Sequence, residues 1–146
     1  MILIIDEWLW HDLSGENGSQ KQKETFEFFE CIYKICDKIA VMRDTPFLTK
    51  FFKLAKSSKM RGIIKIFDVY NSQKVLFLES QEDDVDLPGV KIKPDDIYLY
   101  NIYNCVEGQK CIITTDKPLI EEMKSKGIEI YHRDEFLYKY LSQCKK

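Results

Sequence analysis

Carboxylates stand at the points where the predicted strands and helices of this chain begin or end. Asp6 ends an apolar run at the N-terminus, the pair Asp95–Asp96 opens a predicted helix, and Asp116 ends a second apolar run. Clustered carboxylates repel one another and are normally held together by a divalent cation. Such a site polarises a phosphate and lowers the pKa of a bound water. The residue types therefore indicate phosphodiester hydrolysis, provided that the fold brings these carboxylates together.

Each of these acids also has a purely structural interpretation. Asp95 or Asp96 could be an N-cap, because an acid in the first turn of a helix interacts favourably with the helix dipole. Asp116 could likewise cap the helix that begins near Pro118. Taken singly, each acid is better explained by such a role. Their joint placement is what favours a shared site.

The apolar runs before two of these acids predict strands of a parallel sheet. Ile2–Ile5 is a run of four aliphatic residues without alternation, a pattern typical of a strand buried on both faces. In open α/β sheets, ligands bind outside the carboxyl ends of the strands, and Asp6 stands at such an end. Asp116 follows the run Cys111–Thr114 in the same way. We therefore expect Asp6 and Asp116 to lie close together at the carboxyl edge of the sheet.

Strands and helices alternate along the chain, which predicts a three-layer α/β/α fold around a mainly parallel sheet. The predicted strands cover residues 2–5, 38–42, 111–114 and 128–131. The predicted helices cover residues 20–37, a segment from 46, and residues 95–106, 118–126 and 134–141. A further helix is expected around residues 63–70, a surface loop at 81–86, and either a strand or a turn at 74–78. No repeat or linker interrupts this pattern, so residues 1–146 are expected to form one domain.

Two of the predicted helices have an apolar face that we expect to be buried. On the helix at residues 20–37, this face consists of Phe26, Phe29, Tyr33 and Cys36. On the helix that begins at Pro46, it consists of Phe47, Leu48, Phe51, Phe52 and Leu54.

Composition limits the class of protein. The chain has 146 residues, of which 45% are hydrophobic and 32% charged, as in a soluble globular domain. Its formal net charge of -2 gives no overall attraction to nucleic acids or anionic membranes, so any such attraction needs a local patch. No apolar run approaches the ~20 residues that span a bilayer, and the N-terminal run is too short for a signal peptide. We therefore expect a cytoplasmic protein that does not enter membranes.

The cysteines and histidines do not indicate a zinc site. No two cysteines have C-x-x-C spacing, and the chain has only two histidines. A Cys–His nucleophile has no support in the local sequence. We expect reduced and mostly buried thiols at Cys31, Cys36, Cys105, Cys111 and Cys144.

The order of these segments resembles the PIN domain. The similarity lies in the strand ending at Asp6, the helix start Asp96–Tyr100, the strand end Ile112–Asp116, and the closing segments Gly127–Ile130 and Asp134–Leu137. PIN domains are typically single α/β/α domains that act as metal-dependent ribonucleases. Many are the toxins of toxin–antitoxin pairs, and others process RNA. The resemblance implies a PIN-like fold and cleavage of RNA.

The resemblance also implies roles for individual residues. It makes Asp6, Asp96 and Asp116 catalytic ligands of Mg²⁺ or Mn²⁺, with Asp95 as the alternative to Asp96 and Thr114 as a supporting hydroxyl. RNA is the expected substrate. An antitoxin or other protein, and a second copy of the chain in a homodimer, are the candidate protein partners.

One position departs from the family pattern. The family usually supplies a Glu from the helix after the second strand, but here that position falls near Lys50 or Phe51. The nearest acids that could take its place are Glu7, Glu27 and Glu30. Without a substitute, the same fold would bind RNA or a protein partner and cleave nothing.

A basic tract is the candidate RNA-binding surface. Lys50, Lys53 and Lys56 would share one side of a helix, where they could neutralise phosphates or form a solvated outer face. Aromatic residues could stack on unpaired bases, although most are better explained as core. These residues are Trp8, Trp10, Tyr98 and Tyr100.

A phosphoacceptor domain is a third hypothesis. In such a domain an Asp at a strand end takes a phosphoryl group, and a Lys on a late strand stands beside it. Lys110 and Lys117 are near the predicted acids in sequence but are poorly placed for this role.

Overall fold

A parallel sheet forms the centre of the computed structural model, which describes residues 1–57, 74–80 and 92–145. Its five strands are paired in the order β3-β2-β1-β4-β5, and every pairing is parallel. The strands are β1 (Ile2–Ile5), β2 (Lys38–Met42), β3 (Val75–Leu78), β4 (Lys110–Thr114) and β5 (Ile130–His132).

Six helices are described beside this sheet. They are α1 (Trp8–Leu13), α2 (Ser19–Lys34), α3 (Pro46–Ala55), α4 (Ile97–Cys105), α5 (Lys117–Ser125) and α6 (Arg133–Cys144). A 3₁₀ turn at Pro94–Asp96 leads into α4. None of the helices in the described part of the chain is long and apolar enough to cross a membrane.

The chain leaves the centre of the sheet in two directions, which places helices on both faces. From β1 it proceeds to β2 and β3 on one side, and it then returns to β4 and β5 on the other. Because parallel crossovers are right-handed, this reversal puts the two sets of connecting helices on opposite faces. Contacts agree with this, since α2 packs against α1 and α6, whereas α4 packs on β1, β2 and β4. The predicted three-layer α/β/α fold is confirmed.

The register of β1 and β4 brings the two carboxyl ends level. Ile5 is opposite Ile113, and the Asp6 N–H donates to the Ile113 carbonyl at 3.4 Å. Ile4 and Ile112, which are also paired, are both fully buried, as expected for strands covered on both faces. Residues that follow either strand therefore emerge at the same edge of the sheet.

The segment after β1 forms α1, a helix for which the sequence pattern made no prediction. Its two tryptophans are buried and use their indole N–H groups internally. Trp8 donates to the Ile113 carbonyl at 2.9 Å, and Trp10 donates to the Phe47 carbonyl at 2.8 Å. These rings are therefore core residues, and base stacking by Trp8 or Trp10 is excluded.

Two predicted apolar faces were partly wrong. Phe29 on α2 is buried, but Phe26 and Tyr33 on that helix are exposed, as is Cys36, which lies just beyond its end. The buried side of α2 is rotated toward α1 and α6 and consists of Thr25, Phe28, Phe29, Cys31 and Ile32. On α3, Phe47 and Leu48 are buried as expected, whereas 56% of Phe52 is exposed. Packing partners, rather than the periodicity of each helix alone, determine which side is covered.

The remaining predicted elements are present with small shifts of their ends. Residues 75–78 form strand β3, which resolves the choice between strand and turn. The last predicted strand begins later, at Ile130, and the helix expected from residue 95 begins as a 3₁₀ turn. The helix predicted at 63–70 and the loop predicted at 81–86 lie outside the described residues.

The prediction that all five thiols are reduced was wrong. Cys31 on α2 and Cys144 at the end of α6 form a disulfide, with their Cα atoms 5.7 Å apart. Because α2 and α6 pack together, residues 113 positions apart in sequence come within bonding distance. The other three cysteines are not in disulfides: Cys111 is buried, Cys105 half-buried and Cys36 exposed.

A buried ion pair joins α1 to α6. The Arg133 side chain is 2% exposed, and its Nε lies 2.6 Å from Oδ2 of Asp12, which is 1% exposed. Its Nη1 also lies 2.8 Å from Glu24 and from Asp134. The other Asp12 oxygen accepts from the Asn17 amide at 2.7 Å. Both buried charges therefore have several partners, which is the condition for tolerating them in a core.

Arg133→Met should destabilise the protein by about 3–5 kcal/mol, because it leaves Asp12 buried without its cation. Chemical denaturation of both proteins measures this difference. Lys139→Met is the matched control, since Lys139 pairs with Glu135 on the exposed side of the same helix. That control should cost no more than about 1 kcal/mol. Equal losses in the two variants would contradict the importance of the buried pair.

Candidate functional site

A cavity of about 550 Å³ opens at the carboxyl edge of the sheet. We call it the carboxylate cavity, because it is lined by Asp6, Glu7, Asp95, Asp96 and Asp116. It lies at the boundary between β1 and β4, where the connections that follow the two strands leave for opposite faces. In doubly wound sheets, this reversal opens a crevice in which ligands bind.

Asp6 is the most strongly perturbed acid of the cavity. Its Oδ1 accepts the Trp8 backbone N–H at 3.0 Å, and its Oδ2 accepts the Thr114 hydroxyl. Burial raises the pKa of Asp6 from 3.8 to about 6, against the lowering effect of these two hydrogen bonds. The charges of Asp96 and Glu7 raise it further. Folding therefore places a carboxylate where its ionised form is unfavourable.

Thr114 connects two of the carboxylate positions, as a supporting hydroxyl would. It is fully buried at the end of β4, and its hydroxyl donates to Asp6. The same oxygen accepts the Asp116 backbone N–H at 3.2 Å. The side chain of Asp6 and the backbone of Asp116 are thereby held on one hydroxyl group.

Asp116 has the structural role that its sequence position suggested, and it also lines the cavity. Its Oδ1 accepts the Leu119 N–H at 3.1 Å, so it is the N-cap of α5. Its Oδ2 lies 3.9 Å from Nζ of the exposed Lys93. Capping occupies one oxygen of the Asp116 carboxylate and leaves the other near the cavity and the Lys93 ammonium group.

Asp96 faces the other acids, whereas Asp95 is exposed at the rim. Asp96 precedes α4 as its N-cap residue, but its side chain makes no capping hydrogen bond. Burial raises the pKa of Asp96, and the charge of Asp116 raises it further. Between the two alternatives in the sequence, Asp96 is therefore the acid with the closer electrostatic contact to the rest of the site.

Tyr98 lines the carboxylate cavity, although the sequence suggested only that it stacks on unpaired bases or packs in the core. It lies on the first turn of α4, its side chain is 7% exposed, and its hydroxyl oxygen is buried without a hydrogen-bond partner among the described residues. Leaving a buried hydroxyl unpaired costs about 1–3 kcal/mol. Burial raises the pKa of Tyr98, and the charges of Asp6, Glu7 and Asp96 add to this, so the hydroxyl keeps its proton.

The types of donor in the cavity suit a hard divalent cation, but the side chains are not drawn together around a metal position. Carboxylate and hydroxyl oxygens are the ligands that Mg²⁺ and Mn²⁺ prefer. Within residues 1–57, 74–80 and 92–145, no three His, Cys, Asp or Glu side chains are grouped so that they could hold an ion. The mutual repulsion of Asp96 and Asp116 is what a cation would offset.

The candidate substitutes for the family Glu are separated by the fold. Glu7 lines the carboxylate cavity. Glu27 lines a different cavity, between α2 and α6, and Glu30 is exposed on α2 and does not line the carboxylate cavity in the described structure. Glu7 is therefore the candidate that the structure brings to the other acids.

The basic tract adjoins the carboxylate cavity. Lys50 and Lys53 line a second cavity of about 510 Å³ at the start of α3, which we call the lysine cavity. Glu7 lines both cavities and so marks their shared wall. Lys56 is exposed one turn farther along and is not among the described residues that line either cavity.

The fold argues against the phosphoacceptor hypothesis. Lys110 is the first residue of β4, so it lies at the amino edge of the sheet, opposite the acids. Its Nζ donates to the carbonyls of Tyr103 and Val106 at the end of α4. Lys117 is an exposed residue at the start of α5 and does not line the carboxylate cavity in the described structure.

Asp12 is a residue that sequence reasoning missed. It lines the carboxylate cavity and binds Arg133 behind it. An acid between Leu9 and Leu13, in a segment that also holds two tryptophans, was the available signal, since a buried acid needs a buried partner. The partner could not be identified, because Arg133 is 121 residues away.

The perturbed Asp6 predicts a pH-dependent stability. Its folded-state pKa lies above the unfolded value, so the ionised form destabilises the fold as the pH rises from about 4 through about 6. Asp6→Asn removes this penalty. In EDTA, its gain in unfolding free energy over wild type should grow from near zero at about pH 4 to about 3 kcal/mol at about pH 7.5. Urea denaturation across this range measures it.

Asp95→Asn is the matched control for this prediction. Asp95 is an exposed acid of the same cavity, so its replacement should change stability little and without this pH dependence. A flat difference between Asp6→Asn and wild type would contradict the burial of an ionisable Asp6.

No protein-family model matches the chain, and no curated protein matches its sequence.

Proposed function

We propose that this protein is a metal-dependent endoribonuclease of the PIN type, which hydrolyses RNA phosphodiester bonds in the carboxylate cavity. One observation carries the proposal. Asp6, Asp96 and Asp116 come from separate parts of the chain and line a single cavity at the switch point of a parallel sheet. Burial is the main cause of the raised pKa values of Asp6 and Asp96, and the charges of neighbouring carboxylates raise them further. A bound cation would relieve that part of the cost, which supports a cation-binding role. The cation is Mg²⁺ or Mn²⁺, and the reaction takes place in the cytoplasm.

The residues of the chain orient the carboxylates for this reaction. The Trp8 N–H and the Thr114 hydroxyl hold both oxygens of Asp6, which limits its rotation. The Leu119 N–H fixes one oxygen of Asp116. A divalent ion bound here would polarise the scissile phosphate and lower the pKa of the attacking water. Asp96 supplies the third carboxylate and Glu7 the acid that replaces the family Glu.

The lysine cavity supports an RNA substrate. Lys50 and Lys53 lie on the far side of Glu7 from the other carboxylates. An RNA strand that passes over Glu7 would therefore contact lysines on one side and acids on the other. Lysines neutralise phosphates along a backbone without reading sequence. The flanking phosphates thereby hold the strand while the scissile phosphate lies in the carboxylate cavity.

A second candidate function is binding without cleavage. Helix α3 follows β2 and carries Lys50 and Phe51 where the family Glu is expected. In this case the lysine cavity binds RNA or a protein partner such as an antitoxin, and the carboxylates do not complete a catalytic site. The two candidates differ in whether wild-type protein cuts RNA.

A cation in the carboxylate cavity should stabilise the fold by mass action. The melting temperature of wild-type protein should therefore rise with added Mn²⁺, and Asp116→Asn should blunt that rise by removing one carboxylate charge. Differential scanning calorimetry at several Mn²⁺ concentrations measures the effect. Glu30→Gln is the control, since Glu30 is an exposed acid away from the cavity and its replacement should leave the Mn²⁺ response intact.

Cleavage of a labelled single-stranded RNA in Mn²⁺ is tested with wild type, Glu30→Gln and Asp6→Asn. Wild type and Glu30→Gln should cut it weakly, and Asp6→Asn should not cut it although it still binds. Equal cutting by wild type and Asp6→Asn would assign the activity to a contaminant. No cutting, together with a melting curve that Mn²⁺ leaves unmoved, would favour the binding module.

The lysine cavity predicts a salt-dependent loss of RNA binding. Replacing Lys50 and Lys53 together by Ala should weaken binding, and it should flatten the slope of log K against log[salt] by about 0.7 for each lost phosphate contact. Titration of a labelled single strand at several salt concentrations measures both quantities. Lys56→Ala is the matched control, because Lys56 follows the last residue of the same helix and does not line the described part of either cavity, so the slope should be nearly unchanged. Equal slopes in all variants would assign these lysines to a solvated face.

A further inference from the structure

Lys21 is the only lysine or arginine among the described residues that line the carboxylate cavity. It lies in the first turn of α2 and is half-buried, so its side chain is open to the space that the cavity encloses. The other charged residues of the wall are aspartates and Glu7. The simplest role for a lysine among acids is an ion pair with one of them.

The described structure shows no such ion pair. No salt bridge joins the Lys21 ammonium group to a carboxylate within residues 1–57, 74–80 and 92–145. Lys21 is also not among the main influences on Asp6 or Asp96, which are burial, hydrogen bonds, other acids and Lys93. The positive charge of Lys21 is therefore not used to neutralise the proposed metal ligands.

The backbone around Lys21 is nevertheless held firmly. Arg133 on α6 donates to the Lys21 carbonyl at 3.5 Å and to Glu24, one turn later, at 2.8 Å. Asn17, just before α2, donates to Asp12 on α1 at 2.7 Å. These contacts join the start of α2 to the two helices against which it packs. The Lys21 side chain thus extends into the cavity from a fixed position.

Lys21 and the acids reach the cavity from different layers of the fold. Helix α2 packs with α1 and α6, whereas Asp96 precedes α4, which covers the other face of the sheet. Asp6 and Asp116 follow β1 and β4, at the edge of the sheet between these layers. A molecule bound in the cavity therefore has the acids on one side and Lys21 on the other.

A phosphate oxygen is the ligand that suits an ammonium group in this position. Lysine binds phosphates as a point charge, and a hydrogen bond to an ionised acceptor is stronger than one to a neutral acceptor. Other polar groups of the wall differ from Lys21 in this respect. Thr115 offers an exposed but neutral hydroxyl, and His11 uses Nδ1 to contact Glu16. Lys21 supplies a permanent positive charge.

We propose that the Lys21 ammonium group binds a non-bridging oxygen of the scissile phosphate of RNA in the carboxylate cavity. This assignment rests on the proposed nuclease function and deepens it, because it names a catalytic residue that contacts the substrate without holding the metal ion. Lys21 binds the reacting phosphate, whereas Lys50 and Lys53 hold its neighbours along the strand.

The contact contributes to the reaction through charge. In hydrolysis, the oxygen of water bonds to phosphorus, one P–O bond to a ribose breaks, and the released ribose oxygen takes up the proton that the water loses. Negative charge must be stabilised on the phosphate oxygens as these bonds change. A cation fixed beside one of those oxygens supplies this stabilisation without any rearrangement of the protein.

Lys21→Gln removes the charge and tests the assignment. In Mn²⁺, kcat/KM for a labelled single-stranded RNA should fall about ten- to a hundredfold, the effect of losing one hydrogen bond between charged groups. Lys23→Gln is the matched control. It makes the same change of charge on the same helix, at an exposed residue that does not line the described part of the cavity, so kcat/KM should be unchanged. Equal losses in the two variants would overturn the assignment.

A dinucleoside monophosphate separates the scissile phosphate from its neighbours, because it carries a single phosphodiester. In Mn²⁺, its affinity should be about tenfold lower for Lys21→Gln than for wild type. The variant with Ala at both Lys50 and Lys53 should bind it as well as wild type. Isothermal titration calorimetry measures these affinities. Equal affinity in Lys21→Gln and wild type would place Lys21 away from the scissile phosphate and overturn the assignment.

Melting curves distinguish a substrate contact from a structural ion pair. In EDTA, Lys21→Gln and Lys23→Gln should have equal melting temperatures. Added Mn²⁺ should raise the melting temperature of Lys21→Gln at least as much as that of wild type, because losing a positive charge does not weaken an acidic cation site. A lower melting temperature for Lys21→Gln alone would reveal an ion pair within the folded protein and overturn the assignment.

The outcomes also separate this inference from the proposed function. Wild-type protein that cuts RNA, with Lys21→Gln cutting equally fast, overturns the role of Lys21 and leaves the nuclease function in place. Wild-type protein that cuts no RNA overturns the nuclease function, and the role of Lys21 with it.

Discussion

The position of β1 between β2 and β4 is the constraint on which the rest of the structure depends. Its neighbours on the two sides continue the chain in opposite directions, so the connections after β1 and β4 leave toward opposite faces. The first residue after β1 is Asp6, and it is held beside the end of β4 by the Thr114 hydroxyl. Sheet topology thereby forces a carboxylate into a crevice where it loses hydration.

Other buried interactions hold the elements around Asp6 in place and so offset the free-energy cost of burying its carboxylate. Helix α1 closes one side of the crevice, and its orientation depends on the Asp12–Arg133 ion pair and on the indole hydrogen bonds of its two tryptophans. The Arg133 guanidinium also lies 5.3 Å from the centre of the Trp8 ring, which itself donates to β4. One buried cation thus fixes the helix that carries the cavity wall, and the acids at the sheet edge are held in a rigid frame.

Acidic and basic side chains lie in neighbouring cavities at this edge, and Glu7 lines both. In the lysine cavity, Glu7 and Asp44 stand beside Lys50 and Lys53, so the two lysines are partly balanced by acids. In the proposed function, the lysines hold an RNA backbone, whereas the acids need a cation before a phosphate can approach. The proposal thus places RNA binding and cleavage in neighbouring cavities, so that losing one does not by itself abolish the other.

Short-range patterns in the sequence determined the parallel α/β class, most strand positions and the arrival of Asp6 and Asp116 at one edge. Short uninterrupted aliphatic runs bounded by turn residues are typical of strands buried on both faces, and acids that follow parallel strands share an edge. Tertiary structure decided which faces of α2 and α3 are covered, that Cys31 meets Cys144, and that Asp12 pairs with Arg133. It also buried the Tyr98 hydroxyl without a hydrogen-bond partner in the part of the chain that the structure describes. These outcomes depend on contacts between residues far apart in sequence, and local periodicity carries no information about such contacts.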